Sequence, residues 1–335
     1  MSGDVLVRLE EACARMLAGV EALPAETVAL TAAAGRVLAG PVTAVRTLPP
    51  WDSSAMDGYA VRAGDVASAA DAAPVRLRVL GEVAAGHLPD AGVEPGGAVR
   101  ILTGGIVPPG ADAVVPVEHT DAPAGVADLP AAVTVLRPAR AGDHIRRAGS
   151  DLRAGDLLVP GGTRIDARTI GLLAAAGAAD VRVVRRPRVA VLSTGDELVP
   201  VGAPVGPAAI PDSNGLQGAT QATETGAEVL RLGIVPDRRD AVLAALRDAI
   251  ERADLVLTSG GVSVGAHDEV RDAFATVGRV DLWRVAIQPG KPIAFGHATA
   301  PDGRDVLLFG LPGNPVSAFV TFELFVRPAL RRLGG

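Results

Sequence analysis

The chain has 335 residues, too many for one ordinary hydrophobic core, so two or three domains are expected, each able to bury a stable interior. Its formal net charge is −6 and its basic runs go no further than pairs such as Arg185-Arg186, which argues against nucleic acid as a partner. The single cysteine, Cys13, excludes an internal disulfide framework, no Cys/His cluster has zinc spacing, and no apolar stretch suits a signal peptide or membrane span, so a cytoplasmic protein is expected.

Residues 1–45 read as helix, turn and helix or short strand, because Leu6, Leu9, Ala12, Cys13, Met16 and Leu17 recur at helical spacing. From 46 to 144 the pattern turns β-like: "PVRLRVLGEV", "GAVRILTGG", "ADAVVPVEHT" and "AAVTVLRP" are short, partly alternating runs separated by Gly/Pro turns. Residues 145–185 are mixed, with "DARTIGLLAAAGAADV" a helix, and are expected to join residues 1–45 in one discontinuous α+β domain. From 186 onward strands alternate with amphipathic helices, in the order "PRVAVLS", "SNGLQGATQATETGA", "EVLRLGIV", "RRDAVLAALRDAIERA", "DLVLTSGG", "HDEVRDAFATVG", "DLWRVAIQP", "VLLFGLPG" and "VSAFVTFELFVRPALRR". Such an order predicts βαβ units around a mostly parallel sheet. Ligands of such sheets sit beyond the carboxyl ends of the strands, so the loops there hold the candidate chemistry.

Three strand ends run into polar, glycine-bearing loops: Thr194-Gly195-Asp196-Glu197, "SGGVSVGAHD" and "GLPGNPVSA". In the second, Ser259, Gly260, Gly261, Ser263 and Gly265 allow backbone N–H groups to approach an anion, although neither a Walker loop nor a dinucleotide fingerprint is present. In the third, Asn314 can cap a helix that begins at Pro315 and places Ser317 in its first turn. Asp57, Asp151, Asp196, Glu197, Asp237 and Asp268 supply carboxylates, which near phosphate-binding loops suit Mg²⁺. Asp237 is either one of these or merely the N-cap of a helix over 238–253, and Arg146 and Arg147 either grip an anion or decorate a turn. The five histidines are dispersed and read as structural or surface residues. Lys291, in "QPGKP", is the only lysine beside 31 arginines. A compact ammonium kept where arginine serves elsewhere either marks a site that uses its shape or is a chance leftover on the surface.

In chain order, "PPWDSSAMDGYA", "RILTGGIVPPGADAVVPVE", "RRAGSDLRAGD", "STGDEL", "SGGVSVGAHD", "QPGKP" and "GLPGNPVSA" resemble the molybdopterin molybdenumtransferases, the MoeA family that includes the C-terminal domain of gephyrin. The match runs from about residue 5 to the end. The resemblance implies a multidomain α/β homodimer: a discontinuous N-terminal α+β domain (1–45 plus 145–185), a β-rich domain (46–144) and a three-layer α/β molybdopterin-binding domain (186–335). It implies the last step of molybdenum cofactor synthesis, in which adenylylated molybdopterin and molybdate give molybdenum cofactor and AMP with the help of Mg²⁺. Carried over by motif, Glu197, Asp237 and Asp268 are expected around the nucleotide and its metal. Asp57, Thr103 and Asp151 are expected to approach from the second domain or its hinge, in the partner chain.

Lys291 and Ser317 would face molybdate. Substrate contacts are expected from Arg146, Thr194, Gly195, Asp196, Ser259, Gly260, Gly261, Ser263, Gly265, Pro289, Gly290, Gly313, Asn314 and Ser317. Other enzymes of molybdenum cofactor biosynthesis are expected as further partners. Two departures stand out. Many relatives carry lysines where this chain has Arg284 and Gln288, and the family normally continues into a small C-terminal β-barrel domain, which a chain ending in "RRLGG" is expected to lack. A non-catalytic molybdopterin-binding or scaffold protein is the alternative reading, and another nucleotide-dependent enzyme on the same α/β domain is a third.

Overall fold

The computed structural model describes residues 6–122, 128–260 and 269–335. Its internal contacts divide the chain into two compact units, one of Met1–Pro41, Pro160–Ile170 and Asp180–Gly335, the other of Val42–Val159 and Gly171–Ala179. The segments expected to form a discontinuous first domain are thus shared between the two units.

In the first unit the main strands are, in order, β1 (Ala25–Ala29), β2 (Asp180–Val184), β3 (Arg188–Thr194), β4 (Glu228–Val235), β5 (Leu255–Ser259), β6 (Gly278–Arg284), β7 (Pro292–Thr299) and β8 (Asp305–Leu311), with a short parallel pair, Leu198–Val199 and Ile210–Pro211, between β3 and β4. The helices are α1 (Leu9–Leu17), α2 (Ser213–Glu224), α3 (Arg239–Arg252), α4 (Glu269–Val277), α5 (Pro315–Thr321) and α6 (Arg327–Leu333), the last two joined by a π-helical turn, Phe322–Val326. Six strands form one sheet in the order β4-β3-β5-β8-β7-β6. β4, β3, β5 and β8 are parallel, whereas β7 and β6 run antiparallel at one edge. β1 pairs separately with β2.

The unbroken apolar runs of β3, β5 and β8 follow from burial of the sheet on both faces. Val189, Val191, Leu255, Leu257, Leu307 and Phe309 turn to one face and pack with α1, α2, α5 and α6. The alternate residues Ala190, Leu192, Val256 and Leu308 turn to the other and pack with α3 and α4. On α3 the buried positions are Val242, Leu246, Ala249 and Ile250, an i, i+4, i+7, i+8 stripe that matches one helical face. The apolar spacing read in residues 1–45 likewise has its partner here, because Ala12 and Met16 of α1 are buried in the core of this sheet. "PIAFGHAT", not predicted as a strand, forms β7 and sets Lys291 in the turn of the β6–β7 hairpin.

From β3 the chain moves to β4 on one side and then returns to β5 on the other. The intervening helices diverge, α2 packing on one face and α3 on the opposite one. A crevice at the carboxyl ends of β3 and β5 is the geometric result, and it is where open α/β sheets take ligands.

The second unit is built on a five-stranded sheet, ordered Ala113–Pro116, Gly58–Val61, Gly97–Ile101, Val75–Val83 and Ala132–Val135. Tyr59 and Val61 point into one apolar cluster and Ala60 into another, so this sheet too is covered on both sides. Beside it, Ser53–Ser54 pairs antiparallel with Ile145–Arg146, and Ser53 also bridges Ile106. These short pairings bring three loops together.

Candidate functional site

The parallel strands end in register. Thr194 lies opposite Val235, Ser193 opposite Ser259, and Ser259 opposite Leu311. The loops that follow therefore share one edge of the sheet, and Thr194–Glu197, Asp237, Ser259–Gly260 and Gly313–Ser317 all fall in them. At about 4.8 Å between neighbouring strands, four strand ends span roughly 15 Å. The Asp237 backbone N–H donates to the Asp196 carboxylate at 3.1 Å. Glu197 folds back so that a Cβ placed on Gly195 would lie 2.7 Å and 2.8 Å from its two carboxylate oxygens. Asp196, Glu197 and Asp237 are all exposed. The residue at the N-cap of α3 is Arg238, with no side-chain cap, so capping does not account for Asp237.

Close approach explains the glycine at 260. Its φ is +87°, and a Cβ there would sit 2.4 Å from the Thr194 carbonyl oxygen, so the loops after β3 and β5 touch backbone to backbone. Across from them Asn314 caps α5, accepting from the N–H groups of Val316 at 3.0 Å and Ser317 at 3.1 Å. Gly290, with φ +103°, packs on the same helix: a Cβ there would lie 2.6 Å from Thr321 Cγ2 and 3.7 Å from the Ser317 carbonyl oxygen. Lys291 thus follows a residue seated against the α5 turn that carries Ser317. Its side chain is exposed and, among the described residues, makes no ion pair, while its carbonyl accepts from Val285 N–H at 3.1 Å. Gln288 and Pro289 are exposed in the same loop.

Under this edge runs a buried polar chain of Ser259, Ser193 and Asp212, of which the motifs singled out only Ser259. Ser259 Oγ donates to Ser193 Oγ at 3.1 Å, and Ser193 Oγ donates to Asp212 Oδ1 at 2.7 Å. Asp212 is only 4% exposed and also caps α2, accepting from Gly215 N–H at 2.9 Å. Asn214 donates to the Gly313 carbonyl at 2.8 Å and so ties α2 to the loop after β8. Thr194 Oγ1 and Asn214 Oδ1 are buried and, among the described residues, have no hydrogen-bond partner. Orphaned polar atoms are rare in interiors, and these two mark places where a polar ligand group or water completes the network. The available signal was the helix-start pattern in "PDSNG".

In the second unit, Asp57 Oδ1 accepts from both the N–H and the hydroxyl of Thr103, each at 2.7 Å. The Thr103 N–H first, and then its hydroxyl, hold the Asp57 carboxyl below the usual carboxylate range. Arg146 donates to Asp151 at 2.5 Å, and Arg147 to Asp52 at 2.6 Å. The N–H of Ala148 and then Arg147 hold the Asp52 carboxyl low. Arg146 and Arg147 are therefore each engaged with a carboxylate. The Ser53–Ser54/Ile145–Arg146 pairing is what joins these loops.

Among the described residues, no three His, Cys, Asp or Glu side chains are placed together to hold a metal ion. Asp268, Gly261, Ser263 and Gly265 lie outside the described residues. Asp196, Glu197 and Asp237 present oxygen donors only, on exposed loops. That donor set fits Mg²⁺, which keeps several waters and needs few protein ligands.

Two family models match the chain: the MoeA N-terminal region (domain I and II) over residues 7–177 and a probable molybdopterin binding domain over residues 190–332. The chain is 42% identical over 311 residues to a molybdopterin molybdenumtransferase of Nostoc sp., covering 92% of this chain and 70% of the relative. The chain belongs to the molybdopterin molybdenumtransferase (MoeA) family. It is also 40% identical to a Bacillus subtilis molybdopterin molybdenumtransferase, over 91% of this chain and 70% of the relative. In structure it is similar to a molybdopterin biosynthesis MoeA protein from Pyrococcus horikosii, with a TM-score of 0.82 and 35% identity over 98% of this chain and 81% of that one. The crevice lies in the part of this MoeA-family chain that matches the molybdopterin binding model, and the Asp57–Thr103 and Arg146–Asp151 pairs lie in the part that matches the N-terminal model. Among the described residues of this family member, no helix is long and apolar enough to cross a membrane.

Proposed function

We propose that this chain transfers molybdenum from molybdate into adenylylated molybdopterin and releases AMP, acting as a homodimer in the cytoplasm. The observation that carries the proposal is the row of strand-end loops that puts the carboxylates of Asp196, Glu197 and Asp237 and the hydroxyls of Ser259 and Ser317 at one edge of the sheet. A phosphoanhydride substrate and an oxyanion co-substrate demand that combination, because phosphoryl cleavage depends on positioning and charge neutralisation.

In this reading the glycine-bearing loop that begins at Ser259 and Gly260 lets the anionic oxygens come close to backbone, while Asn314, by accepting from the Val316 and Ser317 N–H groups, holds the first turn of α5 and its Ser317 hydroxyl in place. Glu197 and Asp237, with Asp268, would hold Mg²⁺, which when bound offsets the charge that develops on the pyrophosphate oxygens. Asp212 and Ser193 fix Ser259 from behind. Lys291 meets the tetrahedral oxyanion as a point charge on a flexible stem, and Ser317 adds a hydroxyl. The family likeness supports the reaction class.

The test is a turnover assay with purified chain, adenylylated molybdopterin, Mg²⁺ and molybdate. AMP release is expected to require both molybdate and Mg²⁺, and Glu197→Gln is expected to slow it by one to two orders of magnitude. Binding of the pterin without AMP release would overturn the proposal.

A further inference from the structure

At the opposite end of β3 the first unit has a second cavity, of about 550 Å³. It opens beside Pro187, which precedes β3, whereas the crevice lies beyond Thr194 at the end of this 7-residue strand. At about 3.3 Å per residue, roughly 20 Å of strand separates the two. Six arginines line the cavity: Arg36, Arg164, Arg185, Arg186, Arg327 and Arg331. In a chain of net charge −6 such a gathering runs against the overall balance.

Three of the six pair with carboxylates, and Arg164 donates only to the Gly35 carbonyl, at 3.4 Å. Arg36 pairs with Glu26, Arg185 with Asp254 through two bonds of 2.9 Å, and Arg327 with Glu323 at 2.6 Å and Glu224 at 3.4 Å. Among the described residues, Arg164, Arg186 and Arg331 pair with no carboxylate. Six guanidinium groups thus meet four carboxylates. The carbonyl ends of α2 and α6 also face this region, each equivalent to about half a negative charge, and Gly335 lines it with its carboxyl group; the positive excess remains because Asp254 is shared as well with Arg188 at 3.8 Å and Arg304 at 3.3 Å. Glycines at Gly35, Gly226 and Gly334 line the wall, where small residues let a ligand come close to backbone. The volume lies within the range of about 300 to 1,000 Å³ usual for small-molecule sites. Planar guanidinium forks suit phosphate oxygens in paired hydrogen bonds.

We propose that this cavity binds a small phosphate-bearing metabolite, at a site separate from the crevice. It uses Arg164, Arg186 and Arg331 as the groups that meet the phosphate, while Arg36, Arg185 and Arg327 build the wall through their own ion pairs. The inference does not rest on the function proposed for the crevice.

Inorganic pyrophosphate serves as the probe, titrated calorimetrically into the purified chain at low salt. Binding is expected, is expected to weaken as sodium chloride is raised, and is expected to fall at least tenfold in the double variant R186S/R331S. Among the described residues neither side chain makes a hydrogen bond or an ion pair, so the thermal midpoint of that variant is expected to stay within about 2 °C of the parent, as for surface substitutions generally. Hydrogen exchange locates the ligand independently of any variant: protection is expected in 223–227 and 330–335. No binding at millimolar pyrophosphate, undiminished affinity in R186S/R331S, or protection confined to 194–197 and 312–317 would each overturn the proposal.

Discussion

Replacing Gly260 by alanine tests whether the loops after β3 and β5 meet as closely as the crevice requires. Two costs add at this position. The backbone has φ +87°, and an L residue in the left-handed region costs roughly 1–2 kcal/mol. The new methyl would also lie 2.4 Å from the Thr194 carbonyl oxygen, a backbone atom that cannot rotate away. Relieving that contact requires the loops to part by about 1 Å, comparable with overpacking, which costs about 1–3 kcal/mol.

Gly303 provides an internal control. Its φ is +86°, nearly the same, and a Cβ there meets nothing within 4 Å. Gly303→Ala therefore carries the conformational cost alone, and the two variants are expected to differ by about 1–3 kcal/mol. With about 2–4 °C of midpoint per kcal/mol for 150–250 residues, thermal unfolding followed by circular dichroism should resolve that gap. Gly260→Ala is also expected to lose AMP release out of proportion to its folded fraction, because the parted loops widen the crevice, whereas Gly303→Ala keeps activity. Equal destabilisation of the two variants would refute the backbone-to-backbone contact and, with it, the argument for the glycine.

Removing the α5 cap with Asn314→Ala is expected to cost about 1 kcal/mol, read from the urea midpoint, and Asn314→Asp should restore most of it. Lys291→Arg is expected to raise the molybdate concentration needed for half-maximal AMP release while leaving the unfolding midpoint unchanged, since the charge stays and its shape changes; unchanged molybdate dependence would remove Lys291 from the oxyanion site. For Asp57, whose carboxyl is held low by Thr103, the stability contributed by the two hydrogen bonds is fully present above the ordinary aspartate value of about 3.9 and is lost as pH falls through the lowered folded value. A carboxyl-carbon NMR titration should place Asp57 below that ordinary value and show Thr103→Val moving it part of the way back.

Much of the crevice was legible because its chemistry is local. The alternation of short apolar runs with amphipathic helices implied a parallel sheet, and in such a sheet every βα loop opens at the same edge. That is why "STGDEL", "SGGVSVG" and "GLPGNPVSA" could be assigned to one place before any coordinates were known. Asn314 was legible as a cap because capping involves only the next three residues. The relatedness to the MoeA family was legible for another reason: seven ordered motifs record a shared ancestry.

Other features depend on which strands become neighbours, and no local pattern encodes that. β7 escaped prediction because half of its surroundings come from β6 and β8, and "PIAFGHAT" without those partners is a short apolar run. Ser193, Ser259 and Asp212 form a chain only because β3 and β5 lie in register beside the start of α2. Arg164, Arg186 and Arg331 are scattered along the sequence, and their cavity exists only once β2, the start of β3 and the end of α6 come together. The residues themselves determined the kinds of chemistry on offer: anion-binding turns, carboxylates and one ammonium. Tertiary structure decided which of them act together, because charges and hydrogen bonds work over a few ångströms of space and take no account of distance along the chain.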